Sequence, residues 1–153
     1  MTPYVLAFAI GLAAGLRAMT PPAVAGWAAR LGGLNLQGTP LAWLGAAVTP
    51  WIFTAGALAE LVADKLPRTP SRKAPAGFGA RLVFGALSGA AVGAARGALA
   101  GGLVAGAAGA VAGTLGGYEA RRRLALAAGK DLPIALLEDL VAIALAVLAV
   151  RAS

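Results

Sequence analysis

The 153-residue chain has no cysteine and no histidine. Disulfides, thiolate zinc sites, histidine-ligated haem and Cys- or His-based nucleophile relays are thereby excluded. Charge is also scarce, at 12% of residues where a soluble domain carries about a quarter. Acidic residues are the scarcer sign, 6 against 13 basic, which leaves a net charge of +7. What fills the sequence is apolar: 59% of residues are hydrophobic and the mean hydropathy is +0.81. These proportions exclude an ordinary soluble domain and a disordered chain. The 22 glycines follow no Gly-X-Y period, which excludes collagen. The composition describes an all-α, polytopic helical membrane protein.

Charge placement narrows the partners. The basic residues lie between apolar runs rather than along a helix face interleaved with aromatics, so nucleic acid is not expected. Membrane lipids are the expected partners, with anionic headgroups drawn to Arg72, Lys73, Arg121, Arg122 and Arg123. No basic residue precedes the first apolar run, so that run is read as a retained segment rather than a cleavable signal.

The pattern along the chain predicts four or five membrane segments in a single domain, 1–153. The first covers 3–29, interrupted by Arg17 and by Thr20-Pro21-Pro22, where two prolines remove two backbone donors and predict a kink or break. A polar turn, 30–40, leads to a second segment, 41–62. A basic loop follows over 65–81, where prolines 67, 70 and 75 argue against a helix. From 82 to 117 glycine recurs at Gly85, Gly89, Gly93, Gly97, Gly101, Gly109, Gly113 and Gly117, with Ala105 in the vacant place. Small residues every four positions form a ridge that lets another backbone approach, the pattern of a glycine zipper. As one straight helix this stretch would be roughly 54 Å long, against a hydrocarbon core of ~30 Å. The expectation is a helical hairpin of segments 82–95 and 102–117, turning near Ala95 to Gly102, where Arg96 and Gly101-Gly102 sit; a single long, tilted or broken helix is the alternative. A second basic loop is expected over 119–130, then a last segment, 133–150, with Asp131 as its N-cap and Pro133 in its first turn.

Both basic stretches are expected to face the cytoplasm. With five segments the N-terminus is then cytoplasmic and the C-terminus outside, in a bacterial inner membrane. A faint echo at an offset of 78 pairs Gly11 with Gly89, Gly15 with Gly93 and Glu60 with Glu138. Internal repeats commonly build transporter sites at their interface.

Charged side chains inside apolar segments are the candidates for chemistry. Each costs about 2.5–3.5 kcal/mol on the insertion scale at a helix centre, so it faces a bundle interior, a cavity or the interface. Arg17, Glu60, Asp64, Glu138 and Asp139 fit this description, with Arg96 at the expected turn. Glu60 and Asp64 are four apart and share a helix face. Glu138 and Asp139 point about 100° apart, so one of them is expected to join the pair. Carboxylates on two helices can bind a cation or relay a proton, with Arg17 neutralising them or holding an anionic group. The structural alternative is buried ion pairing, such as Arg17 with Glu60, that sets helix packing. A second alternative places the carboxylates at the interface.

Other features are less specific. Trp27, Trp43 and Trp51 fit an interfacial aromatic belt. Ser88 and Thr114 have no histidine or nearby lysine to activate them, so an enzyme is the least supported class. No metal or cofactor is implied.

Several motifs together resemble a known family. Gly15-Leu16-Arg17-Ala18 precedes Thr20-Pro21, Glu60-Leu61-Val62-Ala63-Asp64-Lys65-Leu66-Pro67 follows, and Leu137-Glu138-Asp139 sits in the apolar final segment. This is similar to bacterial integral membrane proteins grouped as domain-of-unknown-function family 4126. The resemblance covers most of the chain and implies a membrane protein, with no activity. It directs attention to Arg17, Glu60, Asp64, Lys65, Pro67, Glu138 and Asp139.

The functional expectation is a small transporter or channel for an ion or small solute that uses intramembrane carboxylates. The alternative is a non-transporting scaffold that binds lipid or a partner. A small bundle has little interior volume, so a homo-oligomer, most simply a dimer, is expected.

Overall fold

A computed structural model describes residues 2–64 and 74–153. Among these the regular structure is all helical: α1 (Pro3–Leu16), α2 (Thr20–Arg30), a short 3-10 turn (Ala42–Gly45), α3 (Thr49–Ala63), α4 (Pro75–Ala94), α5 (Leu99–Ala128) and α6 (Leu132–Arg151). Three of them, α4, α5 and α6, are long and apolar enough to cross a membrane, fewer than the four or five expected. The first expected segment is divided at Arg17–Met19, and the second loses its first turns to the 3-10 turn. This leaves α1 and α3 as apolar helices of 14 and 15 residues.

Proline sets most of the boundaries. Five of the six α-helices carry proline in their first turn, where an N–H has no intrahelical partner and the fixed φ already suits a helix. Pro21 and Pro22 therefore start α2 rather than kinking a continuous helix. Pro75 likewise opens α4, so the final residues of the expected 65–81 loop are helical. Gly97 (φ 72°) lies in the α4–α5 turn, and Gly129 (φ 70°) ends α5. The expected loop 119–130 is corrected too: α5 continues through it to Ala128, because Tyr118–Ala128 contains neither Gly nor Pro.

Side-chain pairings define two ends of the bundle. Tyr4 lies on Gly101, Gly11 on Gly106 and Gly15 on Thr114, so α1 and α5 run parallel. Gly85 meets Ala110 and Gly93 meets Ala98 and Gly102, so α4 and α5 form the antiparallel hairpin expected of this stretch. α2 does not prolong α1. It turns back, and Val24 and Ala28 pack with Leu6, Ala7, Ile10, Ala146 and Val150. α3 then runs antiparallel to α2, with Trp27 bonded to Thr54 (2.8 Å) at one end and Glu60 bonded to Met19 at the other. One end of the bundle thus holds Thr2, the α4–α5 turn and Ser153, whose carbonyl accepts from Arg96 (3.0 Å). The other end holds Asp64, Arg81, Arg121 and the α5–α6 turn. The described flanks of the two basic stretches share this second end. The N-terminus lies at the opposite end, beside the C-terminus. This differs from the expected arrangement because residues 3–29 form two antiparallel helices instead of one crossing. The offset of 78 carries residues 17–20 onto 95–98, and both are chain reversals. Glu60 and Glu138 nevertheless lie at the same end, which a repeat of inverted direction would not produce.

The glycines serve two different surfaces. Gly85, Gly89 and Gly93 press α4 onto Gly102, Gly106 and Ala110 of α5. Gly109 and Gly113 receive the backbone of Phe8 and Leu12 on α1, and Gly101 receives the Tyr4 ring. Gly97 belongs to the turn and packs against nothing, so it leaves the expected ridge. Gly11, Gly15, Gly102 and Gly106 complete the contact from outside the period-four series. Backbone meets backbone at these positions, which maximises dispersion contact where burial from water supplies no drive between helices. Gly11→Leu should drive a side chain into the Gly106 backbone and lower stability by about 3 kcal/mol or more. Gly116→Leu, which faces open space, should be nearly neutral. Thermal midpoints in detergent check the contrast.

Candidate functional site

The break between α1 and α2 brings the candidate residues together. Arg17 ends α1 in an extended conformation, and its N–H still donates to Ala13 (2.8 Å). The next two amides, of Ala18 and Met19, have no helical partner. They donate to the two oxygens of Glu60 on α3, at 2.8 and 2.9 Å. Pro21 and Pro22 carry no N–H to satisfy. The Glu60 carboxylate therefore caps α2 from another helix, at the end where the helix dipole favours negative charge. Arg81 of α4, itself buried, lies 3.7 Å from Glu60.

The Arg17 side chain is fully buried and points into a group of carboxylates. Nη1 sits 2.8 Å from Asp64 Oδ2 at the end of α3 and also donates to the Leu16 carbonyl (3.1 Å). Nε and Nη2 engage Asp139 Oδ1 on α6. Glu138 Oε2 is 4.0 Å from Nη2. A second guanidinium, Arg121 on α5, bridges the same carboxylates: Nη1 is 2.9 Å from Asp64 and 3.4 Å from Glu138, and Nη2 is 2.8 Å from Asp131. Residues of α1, α3, α5 and α6 thus meet in one ion network.

The structure gathers all five sequence candidates, with changes in pairing. Arg17 engages Asp64 and Asp139 rather than Glu60, which is committed to the helix break. Both Glu138 and Asp139 join, because two arginines approach α6 from different sides. Arg121, expected at a headgroup surface, pairs with Asp64, Asp131 and Glu138 in this network. Arg122 and Arg123 are exposed, and both bond to Glu119 (2.8 and 2.7 Å). Arg72 and Lys73 lie outside the described residues, as do Lys65 and Pro67. Asp131 occupies the α6 N-cap position without a capping hydrogen bond, its carboxylate being held by Arg121. Arg96 lies apart, donating to the carbonyls of Ala152 and Ser153 just beyond α6. Arg81 and Arg121 were missed as site residues, since no local sequence signal distinguishes them from neighbouring basic residues. Among the described residues no group of three or more acidic side chains has metal-holding geometry.

The arrangement can exchange charge but offers no nucleophile. Ser88 is buried on α4 away from these groups, and Thr114 bonds the Ala110 carbonyl (2.7 Å). Breaking a buried ion pair by removing one partner typically costs about 3–5 kcal/mol, because the other charge is stranded. Arg17→Gln should lower stability on that scale, and Arg17→Gln with Asp139→Asn should recover part of it. A double-mutant cycle on thermal midpoints measures the coupling; additive losses would show that the two side chains are independent.

Over residues 4–153 the chain matches the family described as "Domain of unknown function (DUF4126)", and it belongs to that family. No curated protein and no solved structure matches it.

Proposed function

We propose that this family member is a small multi-pass membrane transporter for an ion or small solute, with the break at Arg17–Met19 as the centre of its site. The observation that carries this reading is the fully buried Arg17 at a discontinuous helix, ringed by carboxylates from two other helices. Ionisable groups at such depth mark ion pathways and proton relays, and broken helices supply backbone groups at transport sites. Asp64, Glu138 and Asp139 would carry the coupling cation or proton, and Arg17 would report its arrival. Neutralising one carboxylate loosens the guanidinium that ties α1 to α3 and α6. Charge arrival and helix displacement are thereby linked through the same contacts.

The scaffold alternative relies on the basic surface, and the geometry favours it less. Arg122 and Arg123 share Glu119, which offsets part of their attraction for anionic headgroups. Arg121 is withdrawn into the network.

The end that carries the basic stretches is read as cytoplasmic. In a bacterium the membrane is the inner one, with both termini on the outer side. Thr2→Cys and Ser153→Cys should then react with an impermeant thiol reagent from outside, and Arg122→Cys from inside. Labelling of Thr2→Cys and Ser153→Cys from opposite sides would overturn this topology.

Flux in proteoliposomes tests the function. Under imposed proton, sodium, potassium or chloride gradients, wild type should exceed protein-free vesicles. Glu138→Gln, with folding verified, should lose about tenfold or more of that flux, the scale of a 1.4 kcal/mol change in one charged contact. No flux under any of the four gradients would remove the inorganic-ion reading.

A further inference from the structure

The connection between α2 and α3, residues 31–48, is far longer than the usual loop of about 2–8 residues between packed helices. It is nonetheless built into the bundle. Leu34, Leu36 and Leu44 are buried and pack with Ala23, Ala25 and Phe53. The Gly33 and Leu34 amides donate to the Ala28 carbonyl (2.8 and 3.1 Å), and the 3-10 turn lays Gly45 against Ala29. Within this frame lies a cavity of about 940 Å³, on the scale of small-molecule sites. The buried leucines fix its walls before any ligand arrives.

The same anchoring decides what lines it. Burial alternates from Leu34 to Gln37, so Asn35 and Gln37 face away from the core that Leu34 and Leu36 enter. Both amide side chains line the cavity, together with Arg30 from the last turn of α2. The Asn35 Oδ1 accepts from the Gln37 N–H (3.2 Å), which leaves its NH2 group to donate. Arg30 suits the end of a helix dipole, yet no described side chain accepts from its guanidinium. No lining residue is acidic. The cavity thus gathers a guanidinium and amide donors without a countercharge. Its polar lining and its place beyond the last turn of α2 set its mouth toward water. The length of α2, roughly 15 Å, separates it from the break at Arg17–Met19.

We infer that this cavity binds a small anion, with a carboxylate or phosphate group on Arg30 and its remaining oxygens bonded by Asn35 and Gln37. A guanidinium meets either group with two parallel hydrogen bonds. The inference does not rest on transport, because this cavity and the ion network occupy opposite ends of the bundle.

Titration calorimetry of the full chain in a neutral detergent, at constant ionic strength, tests it. The probes are succinate, inorganic phosphate and dihexanoyl phosphatidylglycerol, a short-chain lipid. Wild type should bind at least one of them saturably, at one site per chain. Arg30→Gln should weaken that binding about tenfold, the scale of one charge-assisted contact. Ala46→Phe, which fills the cavity from another wall, should weaken it at least as much in samples with unchanged elution and thermal midpoint. Arg151→Gln, exposed at the same end but outside the cavity, should leave it unchanged. Binding of succinate or phosphate would identify a soluble anion, and binding confined to phosphatidylglycerol would identify a lipid headgroup as the source. No saturable binding of any probe, or equal binding by wild type and folded Arg30→Gln, would overturn the site. An equal loss in Arg151→Gln would also overturn it, by showing general attraction to a basic surface.

Discussion

A helix that breaks in apolar surroundings must find partners for the backbone groups it releases. The rest of this structure follows from how Arg17–Met19 meets that constraint. An unsatisfied buried amide costs about 1–3 kcal/mol. Glu60 serves both at once, and the two following prolines remove two further demands. The position of α3 against α2 is thereby specified by hydrogen bonding as well as by the Trp27–Thr54 and Trp27–Trp51 contacts near their other ends. Because α2 returns along the bundle, Arg17 is left at the turning point, where only protein surrounds it.

The ion network extends that arrangement to α5 and α6. Two guanidiniums shared among carboxylates of α3, α6 and the α5–α6 turn have little net stabilising value in a low-dielectric interior, since desolvation offsets attraction. Their strength is directional. Arg17 accepts partners in one plane and cannot lose its charge, so it holds α1, α3 and α6 in a single register. On the other side, the glycines bring the backbones of α1, α4 and α5 into close contact. Displacement is more readily accommodated between α5 and α6, where packing is sparse.

Much of this was legible in the sequence. The apolar runs gave helices, Pro133 gave the start of the last one, and Thr20-Pro21-Pro22 gave the break, whereas Pro75, read as a helix breaker, starts α4. The glycine period gave the α4–α5 hairpin, and the scarcity of charge made Arg17, Glu60, Asp64, Glu138 and Asp139 conspicuous. Other features were not legible for a common reason. A period-four glycine series shows that a ridge exists but not which neighbour it meets, so the division between α1-facing and α4-facing glycines stayed hidden. Gly97 carried the period without the contact, because the turn needs a left-handed residue there. Arg121 reads like Arg122 and Arg123 in sequence, yet only its direction on α5 points into the bundle.

The sequence by itself determined the all-helical, strongly apolar character, the break near the first arginine and the identity of the charged residues, because hydropathy, proline geometry and desolvation act over a few residues. Only the tertiary structure decided that α2 folds back, that the termini share an end, and that Arg17 meets Asp139 and Asp64 while Glu60 caps a helix. Those outcomes depend on the path of the chain through space. An ion pair between residues 122 positions apart is settled by which helices become neighbours, and no local property of Arg17 or Asp139 encodes that choice.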